Sequence, residues 1–152
     1  MKALVVDDNP TSRLVLRKII GDELEVEVIE AADGREALQR IEEDRPTVVF
    51  LDLEMPTLDG VATLSEIRQR WGDLPVMVVT AHAEPEFVRR MMSLGVTDYV
   101  LKPVNREVLS SRLARLRDKV PGLPQKAKPA KPALDDEAET DPAPATSENA
   151  PA

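Results

Sequence analysis

The stretch FLDLEMPTLDG, residues 50–60, starts with apolar residues and ends in residues that favour a turn. Residues 47–49 extend its apolar part, so the run has the near-continuous hydrophobicity of a strand buried on both faces of a parallel sheet. Asp52 stands where this run stops. Because ligands bind outside the carboxyl ends of the strands in open parallel α/β sheets, the stretch predicts that fold class and a functional carboxylate at the sheet edge.

Four other short apolar runs have the length of strands: KALVV at 2–6, LEVEVIEA at 24–31, PVMVVT at 75–80 and DYVLK at 98–102. Segments with helical periodicity lie between and after them, at residues 11–20, 34–43, 61–71, 84–94 and 106–119. This alternation predicts an α/β (βα)5 fold, a doubly wound five-stranded parallel sheet with helices on both faces. EVEVIE, residues 25–30, alternates polar and apolar side chains, so we expect it at or near a sheet edge.

Local sequence patterns predict where two helices end and which face of the last helix is buried. Gly21 and Gly95 each follow a helical segment, where a left-handed residue is expected to end the helix. One face of the last helix is predicted to be apolar, and its members are Val104, Val108, Leu113, Leu116 and Val120.

Composition changes sharply near Val120. The 32 residues from Pro121 onward contain seven of the 13 prolines and almost no large apolar side chain. Such a segment cannot bury enough apolar area to offset its ordering entropy. We therefore expect a folded domain over residues 1–119 and a disordered tail or linker over residues 120–152.

Bulk properties narrow the class of protein. The chain of 152 residues contains no cysteine, which excludes disulfides and thiolate metal sites. No signal peptide or bilayer-spanning run is recognisable, which predicts a soluble, cytoplasmic protein without a membrane partner. The formal net charge of -8 disfavours direct binding to nucleic acid.

Polar groups follow the other predicted strands at the edge where Asp52 lies. Asp7 and Asp8 come after the first strand, Thr80 ends the fourth, and Lys102 ends the fifth. Parallel strands with right-handed crossovers bring these ends to one edge of the sheet. Three crowded carboxylates repel one another unless a hard cation neutralises them, and Mg²⁺ suits a site of oxygen ligands.

This combination of groups is suited to phosphoryl transfer. A carboxylate such as Asp52 can act as a nucleophile toward a phosphoryl group, as in aspartyl-phosphate enzymes. The charge that develops on the transferred group needs a metal, an ammonium and a hydroxyl around it, and Lys102 and Thr80 would supply the last two.

The motifs VVDDN, LDLEMPTLDG, VTA and DYVLKPV resemble the receiver domain of two-component response regulators, with the single-domain chemotaxis regulator as prototype, over about residues 1–119. The resemblance implies the flavodoxin-like strand order 2-1-3-4-5 and a phosphorylation-dependent signalling switch with Asp52 as the phosphoacceptor. It also implies a Mg²⁺ site formed by Asp7, Asp8, Asp52 and the main-chain carbonyl of Glu54. The protein would then catalyse only its own phosphorylation and dephosphorylation.

The same resemblance assigns the switch and its partners. Thr80 would be the switch hydroxyl, Tyr99 the switch aromatic and Lys102 the phosphate-binding cation, with a cis bond before Pro103. The phosphoryl group would come from a sensor histidine kinase or a histidine phosphotransfer protein. Output would be contact with another protein through the face around Tyr99, by a monomer or a phosphorylation-dependent dimer.

Two other functions remain open at this point. DDNPT, residues 7–11, is similar to the D-x-D-x-T motif of haloacid-dehalogenase phosphatases, except that Asn9 stands where the general acid is required. A pseudo-receiver that serves only as a scaffold is the other alternative, although all five site residues are present.

Single residues also have simpler interpretations. Asp8 or Asn9 could cap the first helix, Tyr99 could be half-buried packing, and Asp59 with Gly60 could form a turn. His82 is expected to be an exposed loop residue. Glu54 is a candidate either to pair with Lys102 in the resting state or to repel the attacking water. Five arginines are most simply interpreted as solvated and otherwise as part of the output surface: Arg89, Arg90, Arg112, Arg115 and Arg117.

Overall fold

The computed structural model describes residues 1–54, 60–120 and 122–123. Five strands and five helices alternate along these residues. The strands are β1 (Lys2–Val6), β2 (Glu27–Ala31), β3 (Val48–Asp52), β4 (Val76–Thr80) and β5 (Asp98–Leu101). The helices are α1 (Pro10–Glu23), α2 (Gly34–Asp44), α3 (Gly60–Arg70), α4 (Pro85–Ser93) and α5 (Arg106–Lys119). None of these helices has the length and apolar character that crossing a membrane requires.

All neighbouring strands pair in parallel, in the order β2-β1-β3-β4-β5, which confirms the predicted fold and strand order. The alternating run forms β2, which lies at one edge of the sheet and is only partly buried, as predicted. By contrast, β3 and β4 are buried along their whole length. Their continuous apolar sequences are therefore explained by helices that cover both faces.

Two hydrophobic clusters form the core, one on each face of the sheet. Ala3 and Val5 of β1 point into the first cluster, whereas Leu4 and Val6 point into the second. The first cluster contains the buried side chains of α1 and α5, and the second contains those of α2, α3 and α4. This two-sided packing fixes the register of the strands, because side chains alternate between the faces.

The prediction that Gly21 ends the first helix is wrong. Helix α1 continues through Gly21 to Glu23 and is closed by Leu24, whose backbone N–H donates to Ile20 O. Leu24 is buried, so its side chain anchors the chain after the helix. At Gly95 the prediction is confirmed, because this residue follows α4 with φ 86° in the left-handed region.

The predicted apolar face of α5 is wrong at Val108. This residue is 38% exposed, and the buried positions within the helix are Leu109, Leu113 and Leu116. The side chain of Asn105 accepts a hydrogen bond from Val108 N at 2.9 Å and caps the helix. Leu109, Leu113 and Leu116 are spaced by four and three residues and share one helix face, whereas Val108 lies roughly 100° from Leu109 around the helix axis. The inward stripe therefore begins one residue later than predicted. Val104 precedes the helix and is partly buried against the core.

The core extends slightly beyond the predicted boundary at residue 119. Val120 and Leu123 are buried in the first hydrophobic cluster. The rest of the predicted tail and the predicted turn at Asp59 lie outside the described residues.

Candidate functional site

Three aspartates meet at the carboxyl edge of the sheet. Because β1 and β3 are neighbours, with Val6 opposite Leu51, the residues that follow or end these strands lie side by side. Asp7 and Asp52 are buried, whereas Asp8 is exposed. Each of the three can offer a carboxylate oxygen so that all three atoms lie within 4.8 Å of one another. The predicted convergence of these acids is confirmed.

The electrostatics of Asp7 favour a cation in this cluster. Its Oδ1 accepts a hydrogen bond from Asn9 N at 2.9 Å, while its buried Oδ2 has no hydrogen-bond partner among the described residues. Burial, followed by the negative charge of Asp52, raises the pKa of Asp7 from 3.8 to about 6, although the Asn9 N–H opposes this shift. An unsatisfied anionic oxygen beside two other carboxylates fits a hard cation such as Mg²⁺.

Lys102 reaches Asp52 from the end of β5. Its Nζ lies 3.0 Å from Asp52 Oδ1, which also accepts a hydrogen bond from Glu54 N at 3.0 Å. Burial lowers the pKa of Lys102, but the hydrogen bond and charge of Asp52, with further help from Asp7 and Glu54, outweigh it and leave the pKa raised. The ammonium is therefore charged at neutral pH and is fixed beside the Asp52 carboxylate.

Thr80 is held at the end of β4 by two contacts. Its Oγ1 donates to Glu54 Oε2 at 2.9 Å and accepts from His82 N at 3.0 Å. Glu54 also accepts from Ala81 N at 3.2 Å and pairs with Lys102 Nζ at 3.4 Å, which confirms the expected resting-state pair. Burial disfavours the charged form of Glu54, but these donors outweigh it and lower its pKa.

Gly60 brings α3 close to the strand that carries Asp52. A Cβ on this residue would collide with Leu53 Cα and would lie 2.6 Å from Asp52 O. The absence of a side chain therefore allows the first turn of α3 to pack directly on the backbone after β3.

The remaining predicted residues surround this centre. His82 is half exposed in the loop after β4, with Nε2 3.6 Å from Glu54 Oε2 and its ring against Phe87. Tyr99 is half-buried on the edge strand β5, as its packing interpretation predicts. The bond between Lys102 and Pro103 is cis, which confirms what the resemblance implied.

The family model of the response regulator receiver domain matches residues 3–114. The chain belongs to this family. Receiver domains are signalling switches of two-component systems, and they interact with histidine kinases or phosphotransfer proteins and with output partners. They bind Mg²⁺ at an acidic pocket, and the group of Asp7, Asp8 and Asp52 forms a pocket of this kind.

Solved receiver structures resemble the chain over most of its length. Chemotaxis protein CheY4 of Vibrio cholerae is 32% identical, with a TM-score of 0.69, and the match covers 75% of this chain and 96% of that one. The receiver domain of AraT from Geobacillus stearothermophilus is also 32% identical, with a TM-score of 0.69, covering 78% of this chain and 93% of that one.

Curated relatives match only through part of their length. A protein-glutamate methylesterase/protein-glutamine glutaminase of Geobacter sulfurreducens is 39% identical over 74% of this chain and 31% of the relative. A probable transcriptional regulator, ycf27, of Porphyridium aerugineum is 37% identical over 74% of this chain and 46% of the relative. The chain thus spans about a third to a half of these relatives.

Asn9 of this receiver domain has a structural role. Its Oδ1 accepts hydrogen bonds from Thr11 N at 2.9 Å and Ser12 N at 3.1 Å, so it is the N-cap of α1. The helix-cap interpretation of Asn9 is confirmed, and the similarity to the haloacid-dehalogenase motif is not supported by the family to which the chain belongs.

Two structural supports of the site are not apparent in the sequence. Arg13 donates from Nη1 to Asp7 O at 2.8 Å and from Nε to Glu30 Oε1 at 2.8 Å, which ties α1 to the backbone of the loop that carries Asp7 and Asp8. The backbone N–H of Ala81 contacts Glu54 and carries no side-chain signal. Helical spacing from the Asn9 cap would have placed Arg13 on the first turn of α1. It would not have predicted that Arg13 contacts Glu30 and the backbone of Asp7.

A further charged cluster lies at the opposite end of the sheet. Asp98 begins β5 and is buried, and three basic residues of α5 lie within 3.8 Å of its carboxylate: Arg112, Arg115 and Lys119. The arginines at 112 and 115 are therefore ion-pair partners rather than simply solvated. The spacing of these two arginines and Lys119 indicates that the three basic side chains share one helix face. It does not indicate which acidic residue they contact.

Proposed function

We propose that this receiver domain is a phosphorylation-dependent switch in which Asp52 accepts the phosphoryl group. One observation carries the proposal: a carboxylate that is only 1% exposed ends β3, beside two other aspartates and 3.0 Å from the Lys102 ammonium. Few buried groups combine a negative nucleophile, a neighbouring cation and unneutralised acids. Such strongly perturbed clusters are typical of functional sites.

The metal site would be formed by Asp7, Asp8, Asp52 and the main-chain carbonyl of Glu54. The unsatisfied Oδ2 of Asp7 supports the assignment, and the exposure of Asp8 leaves room for metal-bound water. Bound Mg²⁺ would neutralise charge on the transferred phosphoryl group.

The chemical step is an attack of a carboxylate oxygen of Asp52 on phosphorus. A new P–O bond forms while the P–N bond of a donor phosphohistidine breaks, and the imidazole nitrogen leaves with the electron pair. Lys102 would contact an oxygen of the transferred group, and its raised pKa keeps it cationic during the reaction. The donor would be a sensor histidine kinase or a histidine phosphotransfer protein.

The donor would approach through a groove beside the site. A cavity of about 500 Å³ is lined by the charged residues Asp7 and Lys102 and by both polar and apolar side chains of α1 and of the segment after β5. Val15 lines this groove and is 39% exposed. Apolar walls that lead to charged groups would let a partner protein dock while its phosphohistidine meets Asp52.

The switch would run from Thr80 to Tyr99. A phosphoryl oxygen on Asp52 gives the Thr80 hydroxyl a new acceptor, and its movement would change the space available to Tyr99 on the neighbouring strand. The Arg112 guanidinium lies 5.3 Å from the centre of the Tyr99 ring. Rotation of the ring would therefore alter the face formed by α4, β5 and α5, where we place the output partner.

The test is phosphorylation by acetyl phosphate with Mg²⁺, followed by the mass of the intact protein. The wild type should gain one phosphoryl group, and Asp52→Asn should gain none, because an amide is a poor nucleophile of nearly the same shape. Asp98→Asn removes a buried aspartate outside this site and should keep the label, provided that circular dichroism shows the variant to be folded. Labelling of Asp52→Asn at the wild-type rate would overturn the assignment, and steady phosphate release from many substrates would indicate a phosphatase.

A further inference from the structure

The carboxylate of Glu54 lies across three hydrogen-bond donors of the site. Its Oε2 accepts from Thr80 Oγ1 at 2.9 Å and from Ala81 N at 3.2 Å, and its Oε1 lies 3.4 Å from Lys102 Nζ. We call this hydroxyl, this amide and this ammonium the three donors. A single side chain thus satisfies a neutral hydroxyl, a backbone N–H and a cation at once, as a bound anion would.

Two of the three donors are the groups that the proposed function assigns to the phosphoryl group. Lys102 Nζ also contacts Asp52 Oδ1 at 3.0 Å, so the donors lie within reach of any group attached to Asp52. A phosphoryl group and the Glu54 carboxylate are both anionic and use the same kind of hydrogen bond. Both cannot fully occupy the same donors, because two anions in contact repel strongly in a partly buried site.

We propose that the Glu54 carboxylate is a tethered competitor of the phosphoryl group, which occupies the three donors and leaves them when Asp52 is phosphorylated. This inference rests on the proposed function of Asp52. It assigns Glu54 a role in setting how readily the site accepts a phosphoryl group and other anions. Glu54 is thus a positioning residue that acts through the donors rather than on the reacting atoms.

The geometry allows Glu54 to leave without disturbing the backbone. Its side chain is 35% exposed, so the carboxylate can rotate into water. The Glu54 backbone N–H, which donates to Asp52 Oδ1 at 3.0 Å, is independent of that rotation. Substitution of the side chain therefore removes the competitor and keeps the hydrogen bond to the acceptor.

A general charge effect is the alternative explanation. Any negative charge near Asp52 would slow an anionic phosphodonor, whether or not it touched the donors. Glu54→Asp separates the two cases, because it keeps the charge on a side chain shorter by one methylene, which withdraws the carboxylate from the three donors. Glu54→Ala removes both charge and contact. Glu84→Gln is a control, since Glu84 is a largely exposed acid that contacts the other side of His82.

The first experiment measures the rate of phosphorylation by acetyl phosphate at saturating Mg²⁺. We expect Glu54→Ala and Glu54→Asp both to react about tenfold faster than the wild type, the size expected when one or two charge-assisted hydrogen bonds no longer compete. Glu84→Gln should stay within about twofold of the wild type. Beryllofluoride with Mg²⁺ should show the same order of affinities without any covalent step.

The second experiment needs neither metal nor phosphodonor. Hydrogen exchange of the Ala81 amide, measured by NMR in metal-free protein, should be protected in the wild type and at least about tenfold faster in Glu54→Ala and Glu54→Asp. A uniform change in all amides would instead report lost stability. The β3 and β4 amides serve as that internal reference.

The outcomes separate this inference from the proposed function. If the wild type is labelled but Glu54→Asp reacts like the wild type, the effect is one of charge and the competitor is excluded. Unchanged rates and unchanged Ala81 exchange in both variants would also exclude it. If the wild type takes no phosphoryl group at all, the proposed function fails first and the competitor fails with it.

Discussion

Strands β3 and β5 each contain a buried aspartate, at opposite ends of the sheet, and the surroundings of these two residues have opposite charge. Asp52 ends β3, and two further aspartates and Glu54 lie near it. Among the described residues, Lys102 is the cation that contacts the Asp52 carboxylate. Asp98 begins β5, and its carboxylate faces three cations of α5 at 3.6, 3.6 and 3.8 Å. The two residues are 1% and 2% exposed, so burial does not distinguish them.

The contrast shows that the sum of nearby charges, rather than burial, distinguishes the two carboxylates. At Asp52 the excess is negative, which favours a metal cation and a phosphoryl-transfer role. At Asp98 the excess is positive, and the carboxylate neutralises a basic helix face that packs beside the edge strand. We expect the same chemical change to have opposite effects in the two places.

The largest effect on stability is expected at the charged cluster around Asp98. Asp98→Asn should lower the free energy of unfolding by about 3 kcal/mol, because three cations lose a common buried counter-ion and repel one another. Urea unfolding at neutral pH measures it. A loss below about 0.5 kcal/mol would show that the cluster is no more than a surface ion pair.

At the acidic cluster around Asp52, a similar change should stabilise the protein. Asp7→Asn should raise the free energy of unfolding of metal-free protein by about 2 kcal/mol at pH 7, because ionised Asp7 is buried against Asp52 and the amide keeps the Asn9 hydrogen bond. Thermal unfolding in EDTA tests this. Mg²⁺ should then stabilise the variant less than the wild type. Destabilisation by Asp7→Asn in EDTA would contradict the argument that burying ionised Asp7 beside Asp52 destabilises the fold.

The pH dependence should report the burial of Asp7, together with its repulsion from Asp52, through a smaller effect. The pKa of Asp7 rises from 3.8 to about 6 on folding, so between these values the folded state binds more protons than the unfolded state. Its contribution is complete below pH 3.8 and is lost as the pH rises through about 6. Metal-free protein should therefore gain about 1 kcal/mol from pH 7 to pH 5.

Two comparisons control the pH experiment. Asp7→Asn should lack this gain. Glu30 has a lowered pKa, because its hydrogen bonds to Arg13 and Arg17 outweigh burial, so its contribution is lost only as the pH falls through that lowered pKa. A gain that persists in Asp7→Asn would have to come from another group.

The smallest effect on stability should come from replacing one cation of the charged cluster around Asp98. Arg115→Gln should cost less than about 0.5 kcal/mol, because Arg115 is 54% exposed and Asp98 keeps Arg112 and Lys119. The difference from the wild type should shrink further in high salt, as measured by urea unfolding. A cost comparable to that of Asp98→Asn would mean that Arg115 alone neutralises the carboxylate.

The sequence predicted the site better than the clusters that support it. Asp7, Asp8, Asp52, Thr80 and Lys102 each stand at a strand end, and parallel topology alone brings strand ends together. Asp98 also stands at a strand end, but at the amino end, where no such rule assigns a role. Its link to α5 joins residues distant in sequence, and helical spacing reveals only that the basic side chains share a face.

The ends of the helices also show which features the sequence predicts and which depend on tertiary contacts. Gly95 was correctly predicted to end α4, because only local backbone geometry was required. Gly21 was not a helix end, because the burial of Leu24 against the core decides where α1 stops. A local signal therefore succeeds where no tertiary contact competes with it.

The sequence by itself determined the fold class and the type of chemistry, since hydrophobic periodicity and strand-end residues are properties of the chain alone. The strand order followed from the resemblance of its motifs to receiver domains. Only the tertiary structure decided which donors Glu54 occupies, why Asp7 is hard to ionise and what neutralises Asp98. These depend on distances of a few ångströms between residues far apart in sequence. Electrostatic energies and pKa values change steeply over such distances, so no pattern along the chain specifies them.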